Sequence, residues 1–344
     1  MSVFTLPQAA KEEVLRKELS ALVAHHRARC APYDRILTAN GYEGASSIAE
    51  LPWLPVRLFK NLELKSIPDD EVFKVLTSSG TTGEVSRIYL DKAAAATQTR
   101  QLGATVQTVL GPKRLPMLLV DTKAMLKDRR SFSARGAGVL GMSTFGRDHV
   151  WALDNDGHVD LGAIRGFLDK HGDAPFLIFG FTYMVWLHLY EVARDNGLDL
   201  ANGILIHSGG WKKLVDQAVS PVVFRERLAE VGLVRSHNFY GMVEQIGTIF
   251  LEGPSGGSLY CPDFADVVVR DPQTWRELPP GEAGLLEVVS TLPTSYPGHV
   301  LLTEDLGVVH GIDDGDWPGK RFSVLGRLPR AEARGCSDTY REAA

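Results

Sequence analysis

The sequence predicts an α/β fold in which a large layered core is followed by a small β subdomain. Short apolar segments alternate with helical patterns between residues 91 and 211, which is typical of strands in a largely parallel sheet. Glycine turns follow two of these segments, at the carboxyl ends of strands, where α/β sheets bind ligands. Beyond residue 258, short apolar runs separated by Pro-Gly turns indicate antiparallel strands.

Length and composition describe an ordinary globular protein. The chain has 344 residues, of which 44% are hydrophobic and 23% charged, and its formal net charge is −5. Without a basic excess, nucleic acid is not an expected partner. No apolar run reaches the roughly 18 residues of a spanning helix, and the N-terminus lacks a signal-peptide pattern. We therefore expect a cytoplasmic protein with no membrane partner. The expected domains are an α/β core over 1–257, a small β subdomain over 258–325 and a tail over 326–344.

Apolar spacing and proline decide how the first segments are interpreted. Residues 8–30 carry apolar side chains at helical spacing, which predicts a helix with one buried stripe. Pro52 and Pro55 preclude a regular helix over 51–60. We expect that segment to cross the surface in an extended conformation.

The middle of the chain supplies the predicted parallel sheet. An alanine-rich helix is predicted over 91–109, and a buried strand over 117–121 ends in a carboxylate. Small residues over 133–138 surround Arg135. They permit either close backbone approach to a ligand or a glycine-rich connection with a surface arginine. The other predicted elements are a helix over 161–170, a strand over 175–181, an apolar helix over 183–192 and a strand with a glycine turn over 204–211.

A run of hydroxyl and glycine residues stands between apolar segments at 72–75 and 86–90. It reads Thr-Ser-Ser-Gly-Thr-Thr-Gly over residues 77–83. Glycines let backbone N–H groups converge on an anion and hydroxyls add neutral donors, which predicts a phosphate cradle. The same residue types also form ordinary turns. No Gly-Lys-Ser/Thr follows, which argues against a P-loop NTPase.

Six motifs follow one another in a recognisable order. After the hydroxyl-rich run come Ser-Gly-Gly at 208–210, Tyr-Gly-x-x-Glu at 240–244, Gly-Glu-x-Gly at 281–284, Thr-Glu-Asp at 303–305 and Gly-Arg at 326–327. This order resembles the motif set of the adenylate-forming superfamily of acyl-CoA synthetases, luciferases and peptide-synthetase adenylation domains. Within that superfamily, the stretches 54–60, 132–138 and 334–337 are similar to the LuxE-like acyl-protein synthetases, which are related to phenylacetate-CoA ligases.

This resemblance implies a fold and an activity. The fold would be the large N-terminal domain of adenylate-forming enzymes, with layered α/β subdomains and a small β subdomain. The activity would be ATP-dependent conversion of a carboxylic acid, fatty or related, to an acyl-adenylate with release of pyrophosphate, followed by acyl transfer to a thiol. ATP and Mg²⁺ are the implied cofactors. An acyl reductase, a carrier protein or another acyl acceptor is the implied partner.

The resemblance also implies roles for individual residues in nucleotide binding. The phosphates would be wrapped by Ser78, Ser79, Gly80, Thr81, Thr82 and Gly83. Adenine would lie against Gly209 and Gly210 and stack on Tyr240, and Gly241 would also belong to the nucleotide-binding set. The ribose hydroxyls would bind Asp305, and Arg327 would steady the ribose or the α-phosphate. Glu244, with Thr82, would hold Mg²⁺.

Other candidates concern the acid, and several have ordinary structural alternatives. The candidate substrate residues are His207, Trp211, Phe181 and Arg135. His207 and His237 could instead be satisfied structural histidines. Trp211 and Phe181 could fill the core, which is the expectation for Trp186. Glu244 could be an acid on a helix surface, and Asp305 a turn former.

The sequence departs from the superfamily pattern at its C-terminal end. Most adenylate-forming enzymes carry a lid domain with a catalytic lysine after the Gly-Arg hinge, whereas 17 residues follow Arg327 here. We therefore expect the lid domain to be absent, as is usual for acyl-protein synthetases. The phosphate charge would then be met by Lys60, Arg87 or Arg135, or by a cation from a partner protein.

The chain contains three cysteines, Cys30, Cys261 and Cys336, and their spacing suggests neither a zinc site nor a disulfide framework. Cys336 lies in the tail, where a thiol could accept the acyl group, and Arg334 would lower its pKa. The alternative is a spare cysteine near a frayed terminus.

Two alternatives to self-acylation remain open from the sequence. The adenylate could pass directly to an external amine, to CoA or to a carrier-protein thiol. The chain could also be a non-catalytic nucleotide-binding subunit of a biosynthetic partner.

Overall fold

The computed structural model describes residues 2–78, 85–126, 134–211 and 217–328. Within these ranges the chain forms two compact units. The first unit contains residues 2–108, 240–253 and 258–328, and the second contains the described parts of 109–239 together with 254–257. The domain boundaries predicted at residues 257 and 325 stay predictions.

Helices are numbered here in chain order. They are α1 Gln8–Arg29, α2 Ala31–Ala39, α3 Leu58–Asn61, α4 Lys92–Leu110, α5 Ala134–Ser143, α6 Leu161–His171, α7 Thr182–Val185, α8 Glu191–Asn196 and α9 Pro221–Ala229. A π-helical turn, Trp186–Tyr190, connects α7 directly to α8, so the apolar helix predicted over 183–192 is confirmed with a π-bulge inside it. Such bulges are rare in helices and frequently lie at functional sites.

Strands are numbered in the same way. They are β1 Leu54–Pro55, β2 Lys74–Thr77, β3 Arg87–Leu90, β4 Leu115–Thr122, β5 Gly146–Leu153, β6 Phe176–Phe181, β7 Gly203–Ser208, β8 Arg235–Tyr240, β9 Phe250–Glu252, β10 Leu259–Tyr260, β11 Ala265–Arg270, β12 Ala283–Ser290, β13 Val300–Ile312 and β14 Lys320–Arg327.

The first unit is built on an antiparallel sheet with the order β11-β12-β13-β14-β10-β9. This confirms the antiparallel strands predicted beyond residue 258. Strands β2 and β3 form a separate antiparallel hairpin, with Thr77 opposite Arg87 at its open end. The α1 stripe Leu15, Leu19 and Val23 is buried in the same hydrophobic core as β11 and β12. The periodicity of residues 8–30 therefore predicted both the helix and its buried face.

The second unit is built on a parallel sheet with the order β5-β4-β6-β7-β8. Its central strands β4, β6 and β7 are buried over nearly their whole length, which is why the sequence shows continuous apolar runs rather than alternation. The predicted parallel α/β sheet is confirmed. Its carboxyl edge carries the ends of β4, β6 and β7, at Thr122, Phe181 and Ser208, with Asp121 one residue before the end of β4.

The segment 51–60 does not cross the surface as predicted. Leu54 and Pro55 form β1, which pairs in parallel with Leu301 and Leu302 of β13. Leu54 and Phe59 are buried, and the chain turns into the short helix α3 at Leu58. The prolines keep the chain extended before α3, but burial of the apolar side chains between them places the segment inside the first unit.

The interpretation of residues 133–138 as a glycine-rich connection is also wrong. Helix α5 begins at Ala134 and runs to Ser143. Arg135 is buried rather than exposed. Glycine disfavours helix in isolation, and tertiary packing outweighs that preference here.

Among the described residues, no helix combines the length and apolarity that crossing a bilayer requires.

Candidate functional site

Three residues from separate predicted motifs meet in the first unit. The Tyr240 hydroxyl donates a hydrogen bond to Asp305 Oδ2 at 2.6 Å, and Arg327 Nε donates to Asp305 Oδ1 at 3.1 Å. Burial and the neighbouring Asp305 carboxylate raise the pKa of Tyr240 well above its usual value, so the phenol stays a hydrogen-bond donor. Both carboxylate oxygens of Asp305 are thus oriented by side chains that the motif order assigned to the same nucleotide.

The antiparallel sheet of the first unit explains this meeting. Asp305 on β13 lies directly opposite Arg327 on β14 in the strand register. The Asp305 backbone N–H donates to Thr303 Oγ1, and that hydroxyl donates to the Leu286 carbonyl of β12. Asp305 is therefore a strand residue held by its neighbours, and the alternative that it merely forms a turn is wrong.

A further ion pair lies at the middle residue of the Thr-Glu-Asp motif. Arg57 Nε donates to Glu304 Oε1, which links the segment before α3 to β13. Motif spacing did not identify this pair, because residues 247 positions apart become neighbours only through the pairing of β1 with β13. Lys60, three residues further along, is half-buried on α3. Its proposed contact with phosphate remains a prediction.

Glu244 is buried, so the alternative of an exposed helix-surface acid is wrong. It lies in a 3-10 turn, Val243–Gln245, just after the Tyr-Gly pair. The Ser86 hydroxyl donates to Glu244 Oε1 at 2.6 Å, and both side chains are buried. Ser86 was not predicted as a site residue, and its position three residues after the hydroxyl-rich run is the only sequence signal that could have indicated it.

The oxygen atoms around Glu244 fit a Mg²⁺ ion that would be bound partly by the protein and partly by the phosphates of a substrate. Among the described residues, no group of three or more His, Cys, Asp or Glu side chains is placed to form a complete metal site. Mg²⁺ commonly takes only one or two protein carboxylates and completes its shell with water and substrate phosphates. One buried carboxylate with a hydroxyl beside it satisfies that requirement, and Glu244 would be the residue that holds the ion.

The structure describes only the first residue of the predicted phosphate-binding set. Ser78 follows β2, and its backbone N–H donates to the Ser86 carbonyl at 3.2 Å. The remaining members, Ser79, Gly80, Thr81, Thr82 and Gly83, lie outside the described residues.

In the second unit, the Ser-Gly-Gly turn directly follows β7 at the carboxyl edge of the sheet. Gly209 has a φ of +81°, a left-handed conformation that favours glycine. A Cβ atom added at Gly210 would meet no atom of the described residues within 4 Å. Both glycines are exposed. This open, side-chain-free edge is what the predicted adenine contact requires, and the contact itself stays a prediction.

His207 lies next to this turn and is a neutral, buried histidine. Its Nδ1 lies 2.9 Å from Thr182 Oγ1, whose hydroxyl lies 3.2 Å from the Ser208 carbonyl. Both contacts can be hydrogen bonds at once only if the hydroxyl donates to the carbonyl and Nδ1–H donates to the hydroxyl. Burial, and secondarily His237, lower the pKa of His207 to about 3. A role in substrate binding would therefore use a neutral ring.

We expect His207 to make the protein less stable in mild acid. Above about pH 6.5 the ring is neutral in both the folded and the unfolded chain. As pH falls below that value, the unfolded chain binds a proton that the folded chain rejects until about pH 3. The free energy of unfolding should then fall by up to about 1.4 kcal/mol per pH unit on account of this residue.

Urea unfolding of the wild type and of His207→Asn at pH 7 and pH 5 measures this effect. The decrease in the free energy of unfolding from pH 7 to pH 5 should be smaller in the variant by up to about 2 kcal/mol. Comparison with the variant separates the effect of His207 from the effects of His26 and His188, whose pKa values are also lowered by burial. Identical pH dependence in the two proteins would contradict the assignment of a neutral, buried His207.

An aromatic cluster lies close to His207 in the second unit. Trp186 makes an edge contact with Trp211 at 5.4 Å between ring centroids and stacks on Phe224 at 6.0 Å. The His207 ring lies 5.0 Å from Phe224. Trp186 and Trp211 are half-buried, whereas Phe181 is buried and contacts Phe179. Trp211 thus contacts Trp186, the tryptophan that was expected in the core. The role of Phe181 as a pocket residue stays a prediction.

Arg135 forms a buried ion pair at the end of β4. Its Nε donates to Asp121 Oδ2 at 2.9 Å, and its Nη2 donates to Asp121 Oδ1. Burial raises the pKa of the Asp121 carboxyl, and the Arg135 guanidinium opposes that shift. Asp121 engages two guanidinium nitrogens of Arg135. The main role of Arg135 is therefore to hold α5 on the sheet. Arg87, another candidate cation, is exposed at the start of β3.

Two of the three cysteines are buried in the first unit. Burial raises the pKa of both the Cys30 and the Cys261 thiol. Raised pKa values and burial make thiols unreactive. Cys336 lies outside the described residues.

Comparison with known proteins assigns the chain to a family. The family model described as acyl-protein synthetase, LuxE, matches residues 2–344. The chain belongs to the LuxE acyl-protein synthetase family. As a member, it is an enzyme of the ligase type that activates an acyl group with ATP and then transfers it. This acyl-protein synthetase is 24% identical over 323 residues to a Vibrio harveyi protein named long-chain-fatty-acid–luciferin-component ligase, covering 86% of the chain and 78% of that protein.

Solved structures show the same fold in adenylate-forming ligases. A structure of 2-hydroxyisobutyryl-CoA ligase in the postadenylation state, in complex with 2-HIB-AMP, superposes with a TM-score of 0.73 at 18% identity and covers 95% of this chain and 70% of its own. ATP-bound MatB from Rhodopseudomonas palustris gives a TM-score of 0.50 at 17% identity, covering 76% and 49%. The predicted adenylate-forming α/β fold of this acyl-protein synthetase is confirmed.

Proposed function

We propose that this acyl-protein synthetase converts a long-chain fatty acid, or a related carboxylic acid, to an acyl-adenylate and then transfers the acyl group to its own Cys336. The observation that carries the first half of this proposal is the Tyr240–Asp305–Arg327 cluster, because residues from three separate motifs converge on one oriented carboxylate. The relative in Vibrio harveyi is named for a long-chain fatty acid, which supports the choice of acid.

In the adenylation step, a carboxylate oxygen of the acid attacks the α-phosphorus of ATP. The bond between that phosphorus and the bridging oxygen of pyrophosphate breaks, and pyrophosphate leaves. Asp305 is proposed to accept the ribose hydroxyls, and Arg327 to stabilise the ribose or the charge that develops on the α-phosphate. Ser78 to Gly83 are proposed to bind the leaving phosphates through backbone N–H groups and hydroxyls.

Glu244 is proposed to hold Mg²⁺ against the phosphates, with Thr82 as a second oxygen ligand. When bound, the ion would neutralise phosphate charge. Lys60 and Arg87 are the proposed additional cations, because Arg135 already pairs with Asp121.

The acid is proposed to bind in the second unit, along the aromatic cluster of Trp186, Trp211 and Phe224. The half-buried rings of Trp186 and Trp211 offer apolar surface for an aliphatic chain. His207, beside Phe224, is neutral and can only exchange hydrogen bonds with the carboxylate.

In the transfer step, the Cys336 thiolate attacks the acyl carbon of the adenylate. A thioester forms, AMP leaves, and the proton of the thiol goes to solvent. Support for Cys336 as the acceptor comes from the other two thiols, which are buried and have raised pKa values. A further acceptor, such as an acyl reductase or a carrier protein, is proposed to receive the acyl group from this thioester.

Replacing Cys336 by serine should abolish self-acylation while leaving pyrophosphate release intact. Wild-type protein incubated with radiolabelled fatty acid and MgATP should carry a label that neutral hydroxylamine removes. Cys336→Ser should release pyrophosphate at a rate close to that of the wild type and carry no such label, because oxygen esters resist neutral hydroxylamine.

Cys30→Ser and Cys261→Ser are the matched controls, and both should keep the label. A hydroxylamine-sensitive label on Cys336→Ser would contradict the proposed acceptor. Unlabelled wild-type protein that instead acylates CoA, an amine or a carrier protein would favour direct transfer to an external acceptor.

A further inference from the structure

Two serines, Ser78 and Ser86, are paired with each other on either side of residues 79–84. The Ser78 backbone N–H donates to the Ser86 carbonyl at 3.2 Å, and the Ser86 backbone N–H donates to Ser78 Oγ at 2.9 Å. One residue further on each side, Thr77 and Arg87 are opposite each other in the β2–β3 register. The two flanks of residues 79–84 are therefore held together by paired hydrogen bonds rather than only by the chain between them.

The side chain of Ser86 connects this pair of serines to a different part of the first unit. Its hydroxyl donates to Glu244 Oε1 at 2.6 Å, across 158 positions of sequence. Ser86 is fully buried and Glu244 is 5% exposed. A hydrogen bond to a charged acceptor in such surroundings is stronger than one in water, because the local dielectric constant is low. Ser86 thus bonds with its backbone to Ser78 and with its side chain to the proposed metal-binding carboxylate.

The backbone of the Glu244 turn is fixed independently of Ser86. Gln245 Nε2 donates to the carbonyls of Val288 and Gly298 at 3.1 and 2.9 Å. Gly247, with a φ of +86°, lies so close to α4 that an added Cβ would approach the Cβ of Gln98 to 2.6 Å. Packing therefore places the turn, and the Ser86 hydroxyl orients the carboxylate that the turn carries.

We propose that Ser86 is a positioning residue that couples Ser78, the first residue of the proposed phosphate-binding set, to Glu244, so that Ser78 and the metal ligand are oriented together. This inference rests on the proposed roles of Glu244 and of residues 78–83. Its consequence is that Ser86 should matter specifically for the part of ATP affinity that depends on Mg²⁺. Loss of hydrogen-bonding partners around metal ligands typically weakens metal affinity by about 10- to 100-fold.

A matched control, Ser295, contacts the same hairpin from the segment between β12 and β13. Ser295 is fully buried, and its hydroxyl donates to the Tyr89 carbonyl of β3 at 2.9 Å rather than to the proposed metal ligand. Ser86→Ala and Ser295→Ala each remove one buried hydroxyl beside β3. A general effect on the stability of β3 should therefore appear in both variants, whereas an effect on metal coupling should appear in Ser86→Ala alone.

The experiment measures ATP binding by calorimetry in Mg²⁺ and in EDTA for the wild type, Ser86→Ala, Ser86→Thr and Ser295→Ala. The ratio of the two affinities should fall about tenfold or more in Ser86→Ala. It should stay at the wild-type value in Ser295→Ala, and Ser86→Thr, which keeps a hydroxyl, should recover part of it. Acid-dependent pyrophosphate release measured in parallel should show a higher Mg²⁺ requirement only in Ser86→Ala.

The outcomes separate this inference from the proposed function. If the wild type responds to Mg²⁺ and Ser86→Ala responds equally, the coupling is wrong while the proposed function stands. If the wild type binds ATP with no response to Mg²⁺, the proposed role of Glu244 fails and the inference fails with it. Equal losses in Ser86→Ala and Ser295→Ala would reduce Ser86 to a structural residue.

Discussion

Replacing Glu244 by glutamine is expected to lower the ATP–pyrophosphate exchange that depends on the carboxylic acid substrate by about 10²-fold or more. Glutamine keeps the size of the side chain and can still accept the Ser86 hydrogen bond, so the turn should remain folded. What it removes is the negative charge that would hold Mg²⁺ between the phosphates. The measurement is incorporation of labelled pyrophosphate into ATP at saturating acid and Mg²⁺.

Glu252→Gln is the matched control for this substitution. Glu252 is a buried glutamate of the same unit, in β9, and no motif assigns it to nucleotide binding. The control should keep most of the exchange activity. Full activity in Glu244→Gln, or equal losses in both variants, would contradict the metal-binding role of Glu244.

Removing the guanidinium of Arg135 should destabilise the second unit by about 3–5 kcal/mol. Arg135→Ala would leave the Asp121 carboxylate buried at the end of β4 without the partner that now engages both of its oxygens. An uncompensated buried charge is among the most costly defects in a folded protein. Urea unfolding at pH 7, followed by circular dichroism, measures the loss.

A paired replacement tests the cause of that loss. Arg135→Met combined with Asp121→Leu removes both charges and keeps apolar volume, so it should recover much of the stability lost in Arg135→Ala. A loss below about 1 kcal/mol in Arg135→Ala would mean that the ion pair does not hold α5 on the sheet. It would also return Arg135 to the group of cations available for substrate.

The sequence predicted those parts of the fold that depend on local periodicity. The buried strands β4, β6 and β7 are continuous apolar runs, and the glycine turn at Gly209 closes the last of them. The resemblance carried by the order of the motifs assigned Tyr240, Asp305 and Arg327 to one site, and the three side chains meet. Their binding of a nucleotide stays a prediction. In these cases the signal lies in the residue types themselves or in their order.

The features that sequence reasoning missed depend on contacts between distant segments. Pairing of β1 with β13 buries Leu54 and brings Arg57 to Glu304, which no local pattern encodes. Helix α5 forms although its glycines disfavour a helix, and the side chain of its Arg135 is bonded to Asp121. Ser86 looks like an ordinary strand residue until the fold places Glu244 beside its hydroxyl.

Acid-dependent exchange of labelled pyrophosphate into ATP tests the central claim most directly, because it reports reversible formation of the acyl-adenylate and needs no acyl acceptor. The assay uses the wild-type protein with MgATP and a panel of aliphatic and aromatic carboxylic acids. We predict exchange that requires both the acid and Mg²⁺, strongest with long-chain aliphatic acids. Protein that binds ATP but shows no exchange with any acid in the panel would contradict the claim that this chain forms an acyl-adenylate.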